Sequence, residues 1–449
     1  MILHAETALL PEGWARDVRI VVEEGRIAAI HPGHAPEGLA YGCLMPAPVN
    51  LHSHTFQRAM AGLTEARTAG QDSFWTWRAL MYRFLERLSP GDVQAIAAQA
   101  MVEMAESGFS AVCEFHYLHH PVGGGTYADP AEMSVRIAAA AAETGFGLTH
   151  LPVIYEQGGV DGRALQGGQL RFGSTPEVYA QVLDGAGRAL AGMPDAVLGV
   201  APHSLRAVSR ATLDKVAGMV PKGPVHIHIA EQVAEVAEVE AAWGARPVEW
   251  ALANLPLDPR WCMIHATQMT PSETAALAKT GAVAGLCPIT EANLGDGIFD
   301  APGWLAAGGA FGVGTDSNIR ISLAEELRLL EYSQRLNLKA RAVMADTRST
   351  GRLLWDGALK GGAQAAGRQT GAIEVGQWAD LLALDTGDLR LEGVQGDQLL
   401  DTFLFAGRDG LVTDLWSAGR HIVRDGRHIA RESVETRFRA TMRRLREAL

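Results

Sequence analysis

The sequence predicts an α/β fold, a (β/α)8 TIM barrel carrying a small β-sandwich built from both chain termini. Three observations predict it. Eight short apolar runs each end in a polar residue able to meet a metal or a substrate, segments of helical periodicity separate them, and alternating strand patterns flank the series. Strand followed by helix, repeated about eight times, demands a parallel sheet, and eight units favour closure into a barrel over an open doubly wound sheet.

Taken in order, residues 17–30 (DVRIVVEEGRIAAI) alternate as strands do, about a glycine turn. The eight runs follow: PAPVNLHSH, GFSAVCEFHY, GLTHLPVIY, AVLGVAPHS, PVHIHIAE, RWCMIHAT, AVAGLCPIT and FGVGTDS. They end near His54, Tyr117, Tyr155, His203, Glu231, His265, Thr290 and Asp316. Chemistry gathered at strand ends is the habit of this barrel. Between the runs, Thr270, Pro271 and Glu273 combine a cap, an N1 proline and a capping-box acid, and Asp129, Pro130 and Glu132 repeat that arrangement. The connections 118–127, 156–173 and 291–300 are long and glycine-rich, as binding loops are. The longest follows HSH, carries Trp75, Trp77 and Arg78, and reads as a lid. Residues 375–384 and 412–424 alternate as strands, and 433–449 read as a closing amphipathic helix. The expected division is 1–45 and 369–449 for the terminal sandwich, with its helix, and 46–368 for the barrel. A chain of 449 residues has room for both, since a bare barrel takes roughly 250.

With 47% hydrophobic and 20% charged residues, the chain can bury a large core. A net charge of −12 argues against nucleic acid or an anionic membrane surface as partner, and no apolar stretch approaches the roughly 20 residues that span a bilayer. The N-terminus lacks a secretory pattern. Cys43, Cys113, Cys262 and Cys287 are scattered, three of them inside apolar runs, as expected of reduced, buried thiols in a cytoplasmic protein. The absence of any CxxC pair excludes the deaminase zinc site built on HxE and PCxxC, and zinc ribbons with it.

His52 and His54, two apart on a strand, share a face and can reach one ion. In HIHIAE only the later histidine, His228, sits at the mouth, with Glu231 beside it; His226 lies deeper, as a core histidine. His265 in CMIHAT and Asp316 in GVGTDS complete four strand ends with one chemical bias. Imidazoles with a carboxylate suit zinc first, ferrous iron second. The first lysine of the chain is Lys215, and neither it nor Lys222 ends a strand, so no carboxylated lysine bridges two metals and a single-metal site is expected. His4, His31, His34, His421 and His428 are assigned to structural roles, and the same is favoured for His116, His119, His120 and His150.

Together HSH, HIHIAE, CMIHA and GTDSN resemble the amidohydrolase superfamily in its single-metal deaminase branch. Within it, NLHSHTFQRAMAGLTE and CPITEANLGDGIF look like the formimidoylglutamate deiminases. The resemblance implies metal ligands at His52, His54, His228 and Asp316, and a hydrogen bond from His265 to the attacking water. It also implies substrate contacts at Gln57, Arg78, Tyr117, His203 and Arg206, hydrolysis of N-formimino-L-glutamate to the formyl compound and ammonia in histidine breakdown, and a homodimer. Catalytic roles fall to Glu231, His265 and Asp316. Arginine offers forked pairing to a small dicarboxylate substrate, in agreement. Two other readings compete: a related hydrolase acting on a guanidine, purine or triazine, and a non-catalytic scaffold, which would be expected to have lost ligands.

Overall fold

The computed structural model describes residues 1–63, 65 and 81–447. Trp75, Trp77 and Arg78 lie outside them. Nine parallel segments build the barrel: β5 (Val49–Ser53), β6 (Ala111–His116), β7 (Gly147–Ile154), β8 (Val197–Leu198), β9 (Ala201–Pro202), β10 (Val225–Ile229), β11 (Trp261–His265), β12 (Val283–Leu286) and β13 (Ala310–Val313). β8 and β9 are two halves of one barrel strand, both paired to β7 and parted at Gly199. A Cβ at Gly199 would stand 2.5 Å from Leu151 and 2.6 Å from the Pro224 carbonyl, so the break is where neighbouring strands crowd the backbone. Bridges Val200–Val225 and Ser204–His228 join the two runs of strands on one side, and Ser53–Asp316 joins them on the other. The ring is closed.

Glycines allow the closure. The helix Thr350–Ala366 presents Gly357, Gly361 and Gly362 to β13 and β5, where a Cβ on Gly361 would stand 1.9 Å from the Phe311 carbonyl oxygen. Side chains there would hold the helix off the barrel. Helix starts follow local chemistry: Thr270 and Glu273 form the expected capping box for Pro271–Ala278. The expected start at Asp129 is corrected. That helix begins at Glu132 with Ala131 as its cap, while the Asp129 carboxylate accepts from the Ala131 N–H at 2.9 Å, closing a turn before the helix instead. The seventh run also ends earlier than expected, at Leu286, because Pro288 opens a short helix, Pro288–Leu294, that takes Thr290 and Glu291.

The termini meet in one eight-stranded sheet. β1 (Ile2–Leu10), β2 (Gly13–Glu23), β3 (Arg26–His31) and β4 (Leu39–Pro46) come from the N-terminus, and β14 (Leu381–Leu384), β15 (Val412–Ser417), β16 (Arg420–Arg424) and β17 (Arg427–His428) from the C-terminus, joined where β4 pairs β14. The sheet folds back over itself, with edge residue Arg26 bridged to Trp378 ahead of β14. A second, smaller core fills the fold: Leu3, Ile20, Leu44, Leu381 and Trp416 are fully buried there. The helix Arg431–Glu447 closes the chain against Pro90–Ser107. Among the described residues no helix is long and apolar enough to cross a membrane.

Candidate active site

Polar residues at the C-terminal ends of the barrel strands converge on one pocket. His52 Nε2 lies 3.1 Å from His228 Nε2 and 3.4 Å from Asp316 Oδ1, and His54 Nε2 lies 3.1 Å from the same oxygen. All four side chains are buried. Ligands about 2.1 Å from a tetrahedral ion stand about 3.4 Å apart, so this spacing fits one zinc-sized cation. The tautomers fit as well. His54 Nδ1–H donates to the Phe115 carbonyl at 2.8 Å and His228 Nδ1–H to the His203 carbonyl at 3.1 Å, which leaves each Nε2 lone pair facing inward. Burial first of all pushes the His52 imidazole down to about 3, so it is neutral, as a ligand must be. Burial pushes the Asp316 carboxyl up, but the close imidazoles of His52 and His54 outweigh it and hold it well below the usual range.

An amide-and-hydroxyl network holds the two ends of this donor set together. Asn50 on β5 donates to Thr315 Oγ1 at 2.7 Å and accepts from its N–H at 3.1 Å. Asn318 donates to Ser53 Oγ at 3.0 Å and to the His54 carbonyl at 3.2 Å. Backbone strain concentrates here too: Ala230, His265, Ala266, Asp316 and Asn318 all have left-handed φ between +41° and +69°. Such residues persist only where surroundings over-determine them, a pattern of functional sites.

Two further strand ends face the donors. His265 Nε2 stands 3.9 Å from Glu231 Oε1, and Nδ1 donates to Glu291 Oε1 at 3.3 Å. Burial opposes charge on His265, yet the Glu231 charge and the Glu291 hydrogen bond raise its imidazole to about 10. Burial raises the Glu231 carboxyl, against the opposing pull of His265. Asp296 is pushed up to about 9 by burial and then by the Glu231 charge; it holds Gln232 through one carboxyl oxygen, and its backbone carbonyl accepts from Gln268.

Gln57, Tyr117, His203 and Arg206 line the same pocket with His54, His228, Glu231, His265 and Asp316. Gln57 rides on the turn Thr55–Met60, whose first N–H is held by buried Glu114 at 2.9 Å, and its amide donates to the Tyr117 hydroxyl at 2.5 Å. Arg206 is 8% exposed, with Nε 3.9 Å from Glu235 Oε1 and no hydrogen-bond partner for that nitrogen among the described residues. Burial works against its charge, but Glu235 and then Glu231 hold the guanidinium above its ordinary value. Of the expected site residues, Arg78 alone falls outside the described residues. His226 is a core histidine, its Nε2 hydrogen-bonded to the Ala365 carbonyl at 2.8 Å. His116, His119 and His150 are buried and line no wall of this pocket. Sequence reasoning left Phe172, Met81, Tyr82, Leu294 and Ser317 out of the lining, and gave Tyr155 as a strand end only.

Two family models match successive parts of the chain: "Amidohydrolase family" over residues 43–422, and "Formimidoylglutamate deiminase HutF, N-terminal domain" over residues 1–39. The formimidoylglutamate deiminase of Pseudomonas aeruginosa is 49% identical over 445 residues, 97% of each chain. The crystal structure of an amidohydrolase from Brucella melitensis superposes with a TM-score of 0.96, at 48% identity over 99% of both chains. An adenosine deaminase from Xanthomonas campestris, crystallised with zinc, shares the fold at a TM-score of 0.82 and 22% identity, covering 99% of this chain and 98% of that one. With a likeness of that extent and four donors arranged to share a cation, the chain belongs to the amidohydrolase family and, within it, to the formimidoylglutamate deiminases.

Proposed function

We propose that this chain hydrolyses N-formimino-L-glutamate to N-formyl-L-glutamate and ammonia, with one zinc ion held by His52, His54, His228 and Asp316. The observation that carries the reading is a pocket where three of those donors, His54, His228 and Asp316, line the wall with Arg206, a buried cation whose Nε has no hydrogen-bond partner among the described residues. A substrate derived from glutamate brings the carboxylates such a guanidinium needs. The near-whole-chain likeness to the Pseudomonas aeruginosa deiminase supports the same substrate.

An ion held by His52, His54, His228 and Asp316 would supply the Lewis acidity that makes water nucleophilic at neutral pH. Arg206, with Gln57, Tyr117 and His203 beside it, orients the substrate, and Asp316 accepts one proton of the attacking water as its oxygen bonds to the formimino carbon. His265 hydrogen-bonds that water. Glu231, its carboxyl raised by burial, protonates the imino nitrogen as the carbon–oxygen bond forms, and the proton taken by Asp316 then passes to the same nitrogen. The C–N bond breaks, ammonia leaves, and the remaining hydroxyl proton returns to Glu231 as the formyl carbonyl forms. The enzyme acts in the cytoplasm as a homodimer in this reading.

The test is ammonia release from N-formimino-L-glutamate alongside guanine, a triazine and guanidino acids. Turnover confined to the formimino acid is the expected result. Preference for a purine, a triazine or a guanidine overturns the substrate, and no turnover with the metal in place overturns the reaction.

A further inference from the structure

CPITEANLGDGIF supplies no group to the chemistry above, yet it stands directly behind His265. Glu291 lies in the first turn of Pro288–Leu294, buried, and its Oε1 accepts both the Cys287 backbone N–H at 2.8 Å and the His265 Nδ1–H at 3.3 Å. The first bond fixes the carboxylate to the start of its own helix. The second fixes the ring. His265 is the last residue of β11, in the left-handed region at φ +69° with Ala266 following at +50°, so the strand turns away just where the imidazole must be aimed. Nε2 then faces the pocket, 3.9 Å from Glu231 Oε1 and stacked beside the His228 ring. A flipped ring would offer Glu291 a carbon in place of a donor.

We infer that Glu291 is a positioning residue for the hydrolysis, holding His265 by Nδ1–H so that Nε2 stays turned toward Glu231 and the reacting group. The inference rests on the proposed part of His265 in the reaction. Carboxylate-to-imidazole support of this kind fixes tautomer and orientation together. His265, Cys287 and Glu291 are also close enough to hold a metal of their own. The hydrogen bonds they already share make them an orienting set instead.

The test compares Glu291→Gln, Glu291→Ala, His265→Asn and the double variant His265→Asn/Glu291→Ala for kcat, KM, zinc content and the proton spectrum of the histidine ring N–H groups. The glutamine oxygen still accepts from Nδ1–H, so kcat should fall by about 10-fold there and about 100-fold in the alanine variant. KM and zinc content should stay at parent values, and the double variant should be no slower than His265→Asn, because both changes remove one device. The Nδ1–H resonance of His265 should shift in Glu291→Gln and vanish in Glu291→Ala. Additive losses, a loss carried by KM, a second equivalent of zinc released, or an unchanged resonance in either variant would overturn the inference. The glutamine variant decides the matter should the alanine variant fail to fold. The spectrum is read without substrate, so failure on formiminoglutamate and failure of positioning are separate results.

Discussion

Glu231 and Arg206 share one pocket and carry opposite duties, one toward the bond that breaks and the other toward the substrate's charge. Glu231→Gln keeps the shape and removes the acid, so zinc content should be unchanged while kcat falls about 100-fold or more. Near-normal turnover in that variant would remove Glu231 from the reaction. Arg206→Met should raise KM for the dicarboxylate at least about 10-fold, the scale of losing one charge-assisted bond. Steady-state kinetics on a substrate lacking the side-chain carboxylate checks the cause, since an equal loss there would count against an anion clamp. At this scale the sequence was legible wherever a residue ended a strand. His52 and His54 share a face by their spacing alone, and His228 could be told from His226 by depth. Glu291, Asp296 and Phe172 were not legible, because they reach the site from a helix and loops whose direction no periodicity encodes.

Between strands, the tolerances are set by backbones in near contact. A Cβ on Gly314 would stand 2.6 Å from the backbone nitrogen and oxygen of His52, at the seam where β13 meets β5. Gly314→Ala should therefore part His52 from Asp316. The expected outcome is a drop in zinc per chain well beyond the drop in helix content, measured by elemental analysis beside circular dichroism; full zinc occupancy would show that the seam can widen without cost to the site. Strand existence was readable from apolar runs bounded by turn residues, but ends were not. Asp129 and Pro130 have the chemistry of a helix start and form a turn instead, because the carboxylate reaches the Ala131 N–H first. AVAGLCPIT reads as one run, yet Pro288 stops it. In both cases a short-range contact settles the boundary within a stretch whose composition suits either outcome.

For the molecule as a whole, barrel and terminal sheet are pinned by buried charge. Arg368, wholly buried, binds Asp380 at 2.9 Å and Asp195 at 2.9 Å, and Arg420 on β16 donates to Asp195 Oδ1 at 3.0 Å. Arg368→Met takes the arginine from Asp380, leaves Asp195 to Arg420 alone, and should cost about 3–5 kcal/mol in chemical denaturation. Burial pushes the Asp195 carboxyl up, but Arg420 and Arg368 outweigh it and hold it below the ordinary value. The folded state thus binds this proton less readily than the unfolded chain. Its stabilisation is complete above the unfolded value of about 3.9 and is lost as pH falls through the lower folded one. Asp195→Asn should flatten that acid limb of a stability–pH curve, and an unchanged limb would assign it to other carboxylates. The sequence showed that both termini supply strands, because their alternation is plain; which strand pairs which across more than 300 residues depends on contacts such as β4 with β14, which no local pattern carries.

The proposed hydrolysis depends on four side chains from distant parts of the chain holding one ion. Elemental analysis of the purified protein, set against its His228→Asn variant, reads that most directly. One zinc per chain, lost in the variant together with ammonia release, is the predicted result. No metal in an active parent, or two ions per chain, would contradict it.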